Sequence, residues 1–291
     1  MEVTKQIAKP IINFFKMFSG EEKPQLTIPE VNNVFGFYSP TGGTGVTTLV
    51  VNLATVLASR KKVAVLDLDL FHPALFRYLI VDGGGEDFKL QHDIYDKFIA
   101  AGEPVVSFGH KTCVQNVTLF TSLPEADIIR YCKMDYHGIC ACIKDLSRTY
   151  DCVLIDIKGN LLQESVIAAI ETSTRVYTFI RPTAADLENA YKDMAILSLY
   201  SFGAKTKNLI QSPVGTAPID AAEIKKVYNM DSILAIPYVK KVEDIGYNYD
   251  IFVRADGGSD KHAKKYLACV TWLAERIVNY GLEEVEVNVS E

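Results

Sequence analysis

A glycine-rich segment between a predicted strand and a predicted helix is the part of the chain best suited to bind phosphate. Residues 36–49 read GFYSPTGGTGVTTL, with glycines at positions 42, 43 and 45. Such glycines let successive backbone N–H groups point at one spot, where the start of a helix adds its dipole. Thr47 stands where a P-loop hydroxyl coordinates Mg²⁺, and Thr48 follows as a second hydroxyl donor. A tight turn that binds no ligand is the alternative interpretation.

The same segment resembles a known family of phosphate-binding loops. Residues 39–54, SPTGGTGVTTLVVNLA, are similar to the deviant P-loop of the MinD/ParA superfamily, whose usual order is Gly-Lys-Gly-Gly-x-Gly-Lys-Thr-Thr. In this alignment Pro40 replaces the first glycine, Thr41 replaces the signature lysine, and Val46 replaces the P-loop lysine. The resemblance implies binding of ATP or ADP by Gly42, Gly43, Thr44, Gly45, Val46, Thr47 and Thr48.

Three later segments extend the resemblance to most of residues 31–280. Residues 63–73, VAVLDLDLFHP, are similar to the family's Asp-x-Asp strand end, which places Asp67 and Asp69 at the nucleotide site. Residues 150–160, YDCVLIDIKGN, match its Walker B segment with Asp156 as the aspartate. Residues 234–239, LAIPYV, resemble the segment beside the base and place Pro237 there. The resemblance implies catalytic roles for Asp69 and Asp156, and Mg²⁺ binding by Thr47, Asp67 and Asp156.

The loss of both lysines predicts an altered mechanism. In P-loop enzymes the loop lysine offsets charge that develops during phosphoryl transfer, and removal of such a cation commonly costs several kcal/mol. The backbone N–H groups and the Mg²⁺ ligands remain, so we expect a protein that binds ATP, dimerises face to face, and hydrolyses ATP slowly or not at all. Lys158 stands where the family has proline. It is either a substitute cation or a solvated loop residue.

Two features indicate a branch of the superfamily. The order Gly-Gly-x-Gly-x-Thr-Thr at residues 42–48 and the sequence Asp-Leu-Asp-Leu at residues 67–70 resemble the TadZ/CpaE branch. Many members of that branch carry an N-terminal receiver-like domain, for which this chain has only about 30 residues. The resemblance implies a spatial organiser or assembly factor for a Tad (Flp) pilus or a related secretion system. An active ParA/MinD-type ATPase for plasmid or chromosome partition, or for division-site placement, is the alternative function.

The elements that must position these residues follow an alternating order. From Val31 onward, short β-branched runs alternate with longer helical stretches, a pattern typical of a parallel sheet covered on both faces. The predicted strands are Val34–Tyr38, Val63–Leu66, Val117–Thr121, Cys152–Ile155, Val176–Ile180, Asn208–Gln211 and Ile233–Ile236. The predicted helices are Thr47–Ser59, Tyr136–Arg148, Gln163–Thr172, Asp186–Phe202, Ala221–Tyr228 and Lys261–Tyr280. We therefore expect one doubly wound α/β domain with a mainly parallel sheet over residues 31–280, which the resemblance makes P-loop NTPase-like.

The two ends of the chain are predicted to lie outside this domain. Residues 1–30 form an arm and linker in which lysines and apolar side chains fall on opposite faces of a helix, strongest over residues 10–18. The basic and aromatic residues between positions 5 and 18 suit a membrane surface, although packing on the protein body or on a partner is an equal alternative. Residues 281–291 form an acidic tail. The expected location is the cytoplasm, with a peripheral position at the inner face of the cell membrane, or at a pole, as a further hypothesis.

Composition excludes some classes of function. The formal net charge is −6, which gives no overall basic field and argues against non-specific DNA binding. The six cysteines form no CxxC pair and no zinc-ligand spacing, which favours reduced structural thiols. No run of apolar residues reaches the roughly 20 that span a membrane. Residues 82–116 carry the weakest pattern, and an insertion or a partner-binding region is one hypothesis for them.

Overall fold

The structure is a computed structural model that describes residues 31–69, 72–80, 90, 92–94, 96, 103–123, 136–199, 205–206, 208–211, 221–228, 232–256 and 260–280. The predicted arm over residues 1–30, the acidic tail over residues 281–291 and part of the segment 82–116 lie outside these residues. The properties predicted for the arm and the tail therefore stay predictions.

The described residues contain one sheet of eight strands in the order β3-β4-β2-β5-β1-β6-β7-β8. The short strand β3 is antiparallel to β4, and every other neighbouring pair is parallel. The parallel strands thus bring their carboxyl ends to one edge, with β2, β5, β1 and β6 side by side at its centre. The strands are β1 Val34–Tyr38, β2 Val63–Asp67, β3 His110–Lys111, β4 Val117–Phe120, β5 Cys152–Ile157, β6 Arg175–Ile180, β7 Asn208–Gln211 and β8 Ser232–Ala235.

Helices cover both faces of the sheet. A 3₁₀ turn, Val105–Phe108, precedes β3. The α-helices are α1 Val46–Leu57, α2 Leu75–Leu79, α3 Tyr136–Thr149, α4 Glu164–Thr172, α5 Ala184–Leu199, α6 Ala221–Tyr228, α7 Lys240–Tyr247, α8 Phe252–Ala255 and α9 Lys261–Val278. No helix in the described ranges is both long and apolar enough to cross a membrane.

The core has two halves because successive strand residues face opposite sides. In β5, Leu154 joins the cluster packed with α1 and α9, whereas Val153 and Ile155 join the cluster packed with α3 and α4. All three side chains are fully buried. This two-sided burial explains why the central strands are apolar throughout rather than alternating.

The predicted fold class is confirmed: the chain forms a doubly wound, mainly parallel α/β sheet. The seven predicted strands are all present, and their ends differ from the predictions by at most two residues. The predicted helix that starts at Asp186 begins earlier, at Ala184, and its described part ends at Leu199. The short elements β3, α2, α7 and α8 were not predicted, since each has eight residues or fewer and carries little periodic signal.

Candidate functional site

The glycine loop between β1 and α1 leaves open space around it. Gly43 and Gly45 adopt left-handed backbone conformations, with φ of 71° and 88°. A Cβ built on Gly42, Gly43 or Gly45 would meet no described atom within 4 Å. No side chain in the described part of the chain caps the start of α1 at Val46. The loop therefore presents uncapped N–H groups at a helix start, which suits an anion.

Thr47 and Asp156 form a direct contact below this loop. The Thr47 hydroxyl donates to Oδ2 of Asp156 over 2.7 Å. The Asp156 side chain is fully buried, and its Oδ1 has no hydrogen-bond partner among the described atoms. A buried carboxylate oxygen ordinarily has a partner, so this atom marks a place for a further ligand. The structure thus brings together two of the residues predicted to bind Mg²⁺.

Asp67, the third predicted metal ligand, lies beside Asp156 and accepts backbone hydrogen bonds. The two aspartates are paired in register on β2 and β5. Oδ1 of Asp67 accepts the N–H of Asp69 over 3.0 Å, and Oδ2 accepts the N–H groups of Ala74 and Leu75 over 3.2 Å each. The Asp67 carboxylate therefore stabilises the turn after β2 and the start of α2. Both of its oxygens already accept hydrogen bonds, so an Asp67 oxygen that bound a metal ion would do so in addition to these contacts.

The two buried carboxylates raise the cost of each other's charge. Burial raises the pKa of Asp67, and the neighbouring Asp156 charge raises it further. Burial also raises the pKa of Asp156, although the Lys158 ammonium and the Thr47 hydrogen bond oppose that effect. Because each aspartate is hard to ionise alone, a cation at this edge of the sheet would be stabilising.

Lys158 supplies a positive charge next to these carboxylates. Its Nζ lies 3.1 Å from Oδ2 of Asp69, and its side chain is 34% exposed. Burial opposes the charge on Lys158, but the carboxylates of Asp156, Asp67 and Asp69 outweigh burial and raise the pKa. Asp69, a predicted catalytic residue, also accepts the backbone N–H of His72 over 3.0 Å. Lys158 is therefore an ion-paired side chain that stays partly exposed to solvent at this edge of the sheet.

Val46 directs its side chain into the core. It is 5% exposed and belongs to the apolar cluster that includes Leu49 and Val50. At the position of the P-loop lysine, this chain therefore has an apolar side chain that packs in the core. The neighbouring Thr44 is also buried, so residues 44 and 46 contribute their backbone to the loop surface more than their side chains.

The other side of the loop meets the end of β6. Asp186 accepts hydrogen bonds from Arg181 Nε over 2.9 Å and from Thr183 Oγ1 over 2.6 Å. Burial opposes the ionisation of Asp186, but hydrogen bonds from Arg181, Thr183 and Thr41 outweigh burial and lower its pKa. Thr41, which replaces the signature lysine, thus joins a network that contains an arginine. Sequence reasoning missed Arg181, although an arginine that directly follows a predicted strand could have drawn attention to it.

Two further residues complete the map of the site. Tyr78 on α2 lies beside Thr48, and its hydroxyl donates to the backbone oxygen of Gly246 over 3.3 Å. Sequence reasoning missed this tyrosine because α2 was not predicted.

Pro237 follows β8 and is partly exposed. The strand order puts it at the same edge as the glycine loop but three strands from β1, so it is separated from the phosphate-binding segment.

Comparison with known families identifies this arrangement. A family model described as "CobQ/CobB/MinD/ParA nucleotide binding domain" matches residues 35–239. The chain belongs to this family. The matched range contains the glycine loop, both aspartate segments and Pro237. A comparison with curated protein sequences gave no match.

Solved structures of MinD and ParA proteins share the fold. A ParA family ATPase from Chlorobium tepidum has a TM-score of 0.69 and 17% identity, over 84% of this chain and 99% of that one. The cell division ATPase MinD of Pyrococcus furiosus has a TM-score of 0.69 and 21% identity, over 84% and 99%. The septum site-determining protein MinD of Pyrococcus horikoshii, solved with Mg-ADP, has a TM-score of 0.67 and 21% identity, over 83% and 95%. At these identities the likeness shows the fold.

The residues at this MinD/ParA-type site fit Mg²⁺ held together with phosphate. No group of three His, Cys, Asp or Glu side chains in the described ranges is arranged to hold a metal by itself. Mg²⁺ commonly binds through one or two protein oxygens, water and the phosphates of a substrate. The Thr47 hydroxyl and the unpartnered Oδ1 of Asp156 suit that mode.

Proposed function

We propose that this MinD/ParA-type protein binds Mg-ATP and Mg-ADP at the loop of residues 42–48. The observation that carries the proposal is the pairing of Thr47 with Asp156, whose second buried oxygen has no partner among the described atoms. The open space around the glycines supports it, because phosphates could approach the backbone there. Thr47 would contact the metal directly, and Asp156 would hold one of its waters.

We infer that ATP hydrolysis is slow or absent. Thr41 and Val46 carry no charge, and the buried Val46 side chain packs in the core. Stabilisation of the charge that develops on the transferred phosphoryl group depends on cations placed in advance. Slow hydrolysis suits a structural or sensing role better than fast turnover does.

A homodimer that forms through the nucleotide-binding face is part of the same proposal. Leu162 lies four residues after Lys158, in the turn before α4, and is 80% exposed. A single exposed leucine is ordinary on a protein surface, so the dimer is supported mainly by the resemblance of the glycine loop to the MinD/ParA loop. The dimer would bury this leucine when nucleotide is bound.

We propose that the cellular role is that of a spatial organiser or assembly factor for a Tad pilus or a related secretion system. The resemblance of residues 42–48 and 67–70 to the TadZ/CpaE branch supports this role. The segment 5–18 would give contact with the inner face of the cell membrane. Co-sedimentation with anionic liposomes tests that contact in the full chain. Replacement of Lys5, Lys9 and Lys16 by glutamate should weaken it, and unchanged binding would remove the membrane hypothesis.

Isothermal titration with Mg-ATP, combined with a phosphate-release assay, tests nucleotide binding and turnover together. We expect binding without turnover at ordinary ATPase rates. Titrations at several temperatures are needed, because the binding enthalpy can pass through zero at one of them. Absence of heat at all temperatures would overturn nucleotide binding. Rapid turnover that is lost in Asp156→Ala would favour the alternative of an active partition or division-site ATPase.

A further inference from the structure

We propose that Lys158 is the cation that contacts the terminal phosphates of the nucleotide in this chain, and that Asp69 holds it beside the site until the nucleotide binds. This inference rests on the proposed nucleotide binding and assigns a cation for binding of the phosphates, whereas positions 41 and 46 stay without charge.

The position of Lys158 in the fold puts it at the phosphate-binding edge. It directly follows β5, which lies between β2 and β1 in the sheet. Asp156, two residues earlier, is already in contact with Thr47 at the start of α1. The lysine therefore leaves the sheet next to the glycine loop, on the side where the aspartates end β2 and β5.

Carboxyl groups outnumber cations around Lys158. Those of Asp67, Asp69 and Asp156 act on one ammonium, and burial makes the charges of Asp67 and Asp156 costly. Among the described residues, Lys158 is the only cation within 4 Å of any of the three. A protein cation at this edge would offset part of the negative charge that a nucleotide brings to it. Arg181, on the other side of the loop, is held by two contacts to Asp186, whereas Lys158 is held by a single ion pair.

The contact that holds Lys158 is of a kind that can be exchanged. It is a single ion pair of 3.1 Å on a side chain that is 34% exposed, and such pairs are weak because water screens them. The ammonium has three N–H donors on a flexible stem, so it can turn toward a phosphate without a change in the backbone. Asp69 would keep the backbone N–H of His72 as a partner after the lysine leaves.

A purely structural role is the competing explanation for the pair. In that case Lys158 and Asp69 would stabilise the turns after β5 and β2 and have no preference among nucleotides. The two explanations differ in what the loss of each partner does. Removal of Lys158 should weaken nucleotide binding, whereas removal of the Asp69 charge should release the lysine and strengthen binding.

Titration of the full chain with Mg-ATP, Mg-ADP and AMP tests the proposal, with Lys158→Met, Lys158→Arg and Asp69→Asn as variants. We expect Lys158→Met to raise the dissociation constant of Mg-ATP about tenfold or more, the effect of one lost charge-assisted contact. The effect should be smaller for Mg-ADP and absent for AMP. Lys158→Arg should keep affinity within about threefold, and Asp69→Asn should bind Mg-ATP more tightly than the parent.

Lys192→Met is the matched control, since Lys192 forms a similar 2.9 Å pair with Glu188 on the surface of α5. Circular dichroism checks the fold of each variant, and Lys158→Gln serves as the second variant where the methionine variant misfolds. If the parent protein gives no heat with Mg-ATP at any of several temperatures, both this inference and the proposed function fail. If the parent binds and Lys158→Met binds equally well, only this inference fails. Equal weakening for ATP, ADP and AMP would assign Lys158 the structural role.

Discussion

Thr47 and Asp156 are 109 residues apart in the sequence, yet the hydroxyl of one donates to the carboxylate of the other over 2.7 Å. The contact joins the first turn of α1 to the end of β5, and it uses only one of the two carboxylate oxygens. The pair is therefore both a structural link and an incomplete ligand set. Variants that separate these two roles test the site most directly.

Asp156→Asn should raise the stability of the nucleotide-free protein and remove its response to Mg²⁺. Burial makes the Asp156 charge costly, and asparagine keeps an oxygen that can accept from Thr47. We expect the free energy of unfolding to rise by about 1 kcal/mol in urea denaturation without ligand. Added Mg-ATP should no longer raise the urea concentration at the midpoint of unfolding. Asp244→Asn, at an exposed position on α7, is the control and should leave both quantities unchanged. A less stable variant that still responds to Mg-ATP would contradict this account.

Val46→Lys should destabilise the protein without restoring fast hydrolysis. The side chain at this position is 5% exposed and packs with Leu49 and Val50, so an ammonium would enter an apolar cluster. We expect a loss of about 2–3 kcal/mol in thermal or urea unfolding. Val46→Met, of similar length and without charge, is the control and should cost less than about 1.5 kcal/mol. Normal stability together with ATPase activity in the lysine variant would show that the position can turn toward the phosphates.

Gly159→Ala should destabilise the turn that follows Lys158. Gly159 has a φ of 118°, and a Cβ there would lie 1.7 Å from Oε1 of Gln163. Strain and overlap together should cost about 1–3 kcal/mol in the free energy of unfolding. The double variant Gly159→Ala/Gln163→Ala removes the overlap but keeps the strain, so it should recover part of the loss. If the double variant is no more stable than the single one, the overlap is relieved by a movement of the turn.

Local sequence pattern was sufficient for the frame of the site. The apolar runs that became β1, β2 and β5 are long enough to be recognised, and parallel pairing then brings the glycine loop, Asp67 and Asp156 to one edge. Thr47 could be placed because its position is set relative to the glycines by the first turn of α1. These inferences need only periodicity and strand order.

Contacts between distant segments could not be predicted in the same way. Lys158 was visible as a departure from proline, but its partner Asp69 is 89 residues away. Two of the three backbone N–H groups on Asp67, those of Ala74 and Leu75, depend on the short helix α2, which has five residues and almost no periodic signal. The inward direction of Val46 follows from packing against residues of other elements. Periodicity reports which side of an element is buried and not which groups meet there.

His110 should make the stability of the edge of the sheet depend on pH. The residue is 6% exposed on β3, and its Nε2 donates to the backbone oxygen of His92 over 2.8 Å. Burial lowers the pKa of His110, and the nearby His92 charge lowers it further. The His92 backbone contact and the Asp93 carboxylate act in the opposite direction, but the net change is downward.

The sign of the pH effect follows from this lowered pKa. Below about pH 6.5, the ordinary value for histidine, the unfolded chain takes up a proton that the folded protein resists. The contribution of His110 to stability is therefore fully present above that pH and is lost as pH falls through the folded-state pKa. Urea denaturation of His110→Gln at several pH values between about 7 and 5 should show a shallower loss of stability than the parent chain. His137→Gln, at an exposed position on α3, should retain the slope of the parent. A glutamine variant at position 110 with an unchanged slope would assign the acid sensitivity to other groups.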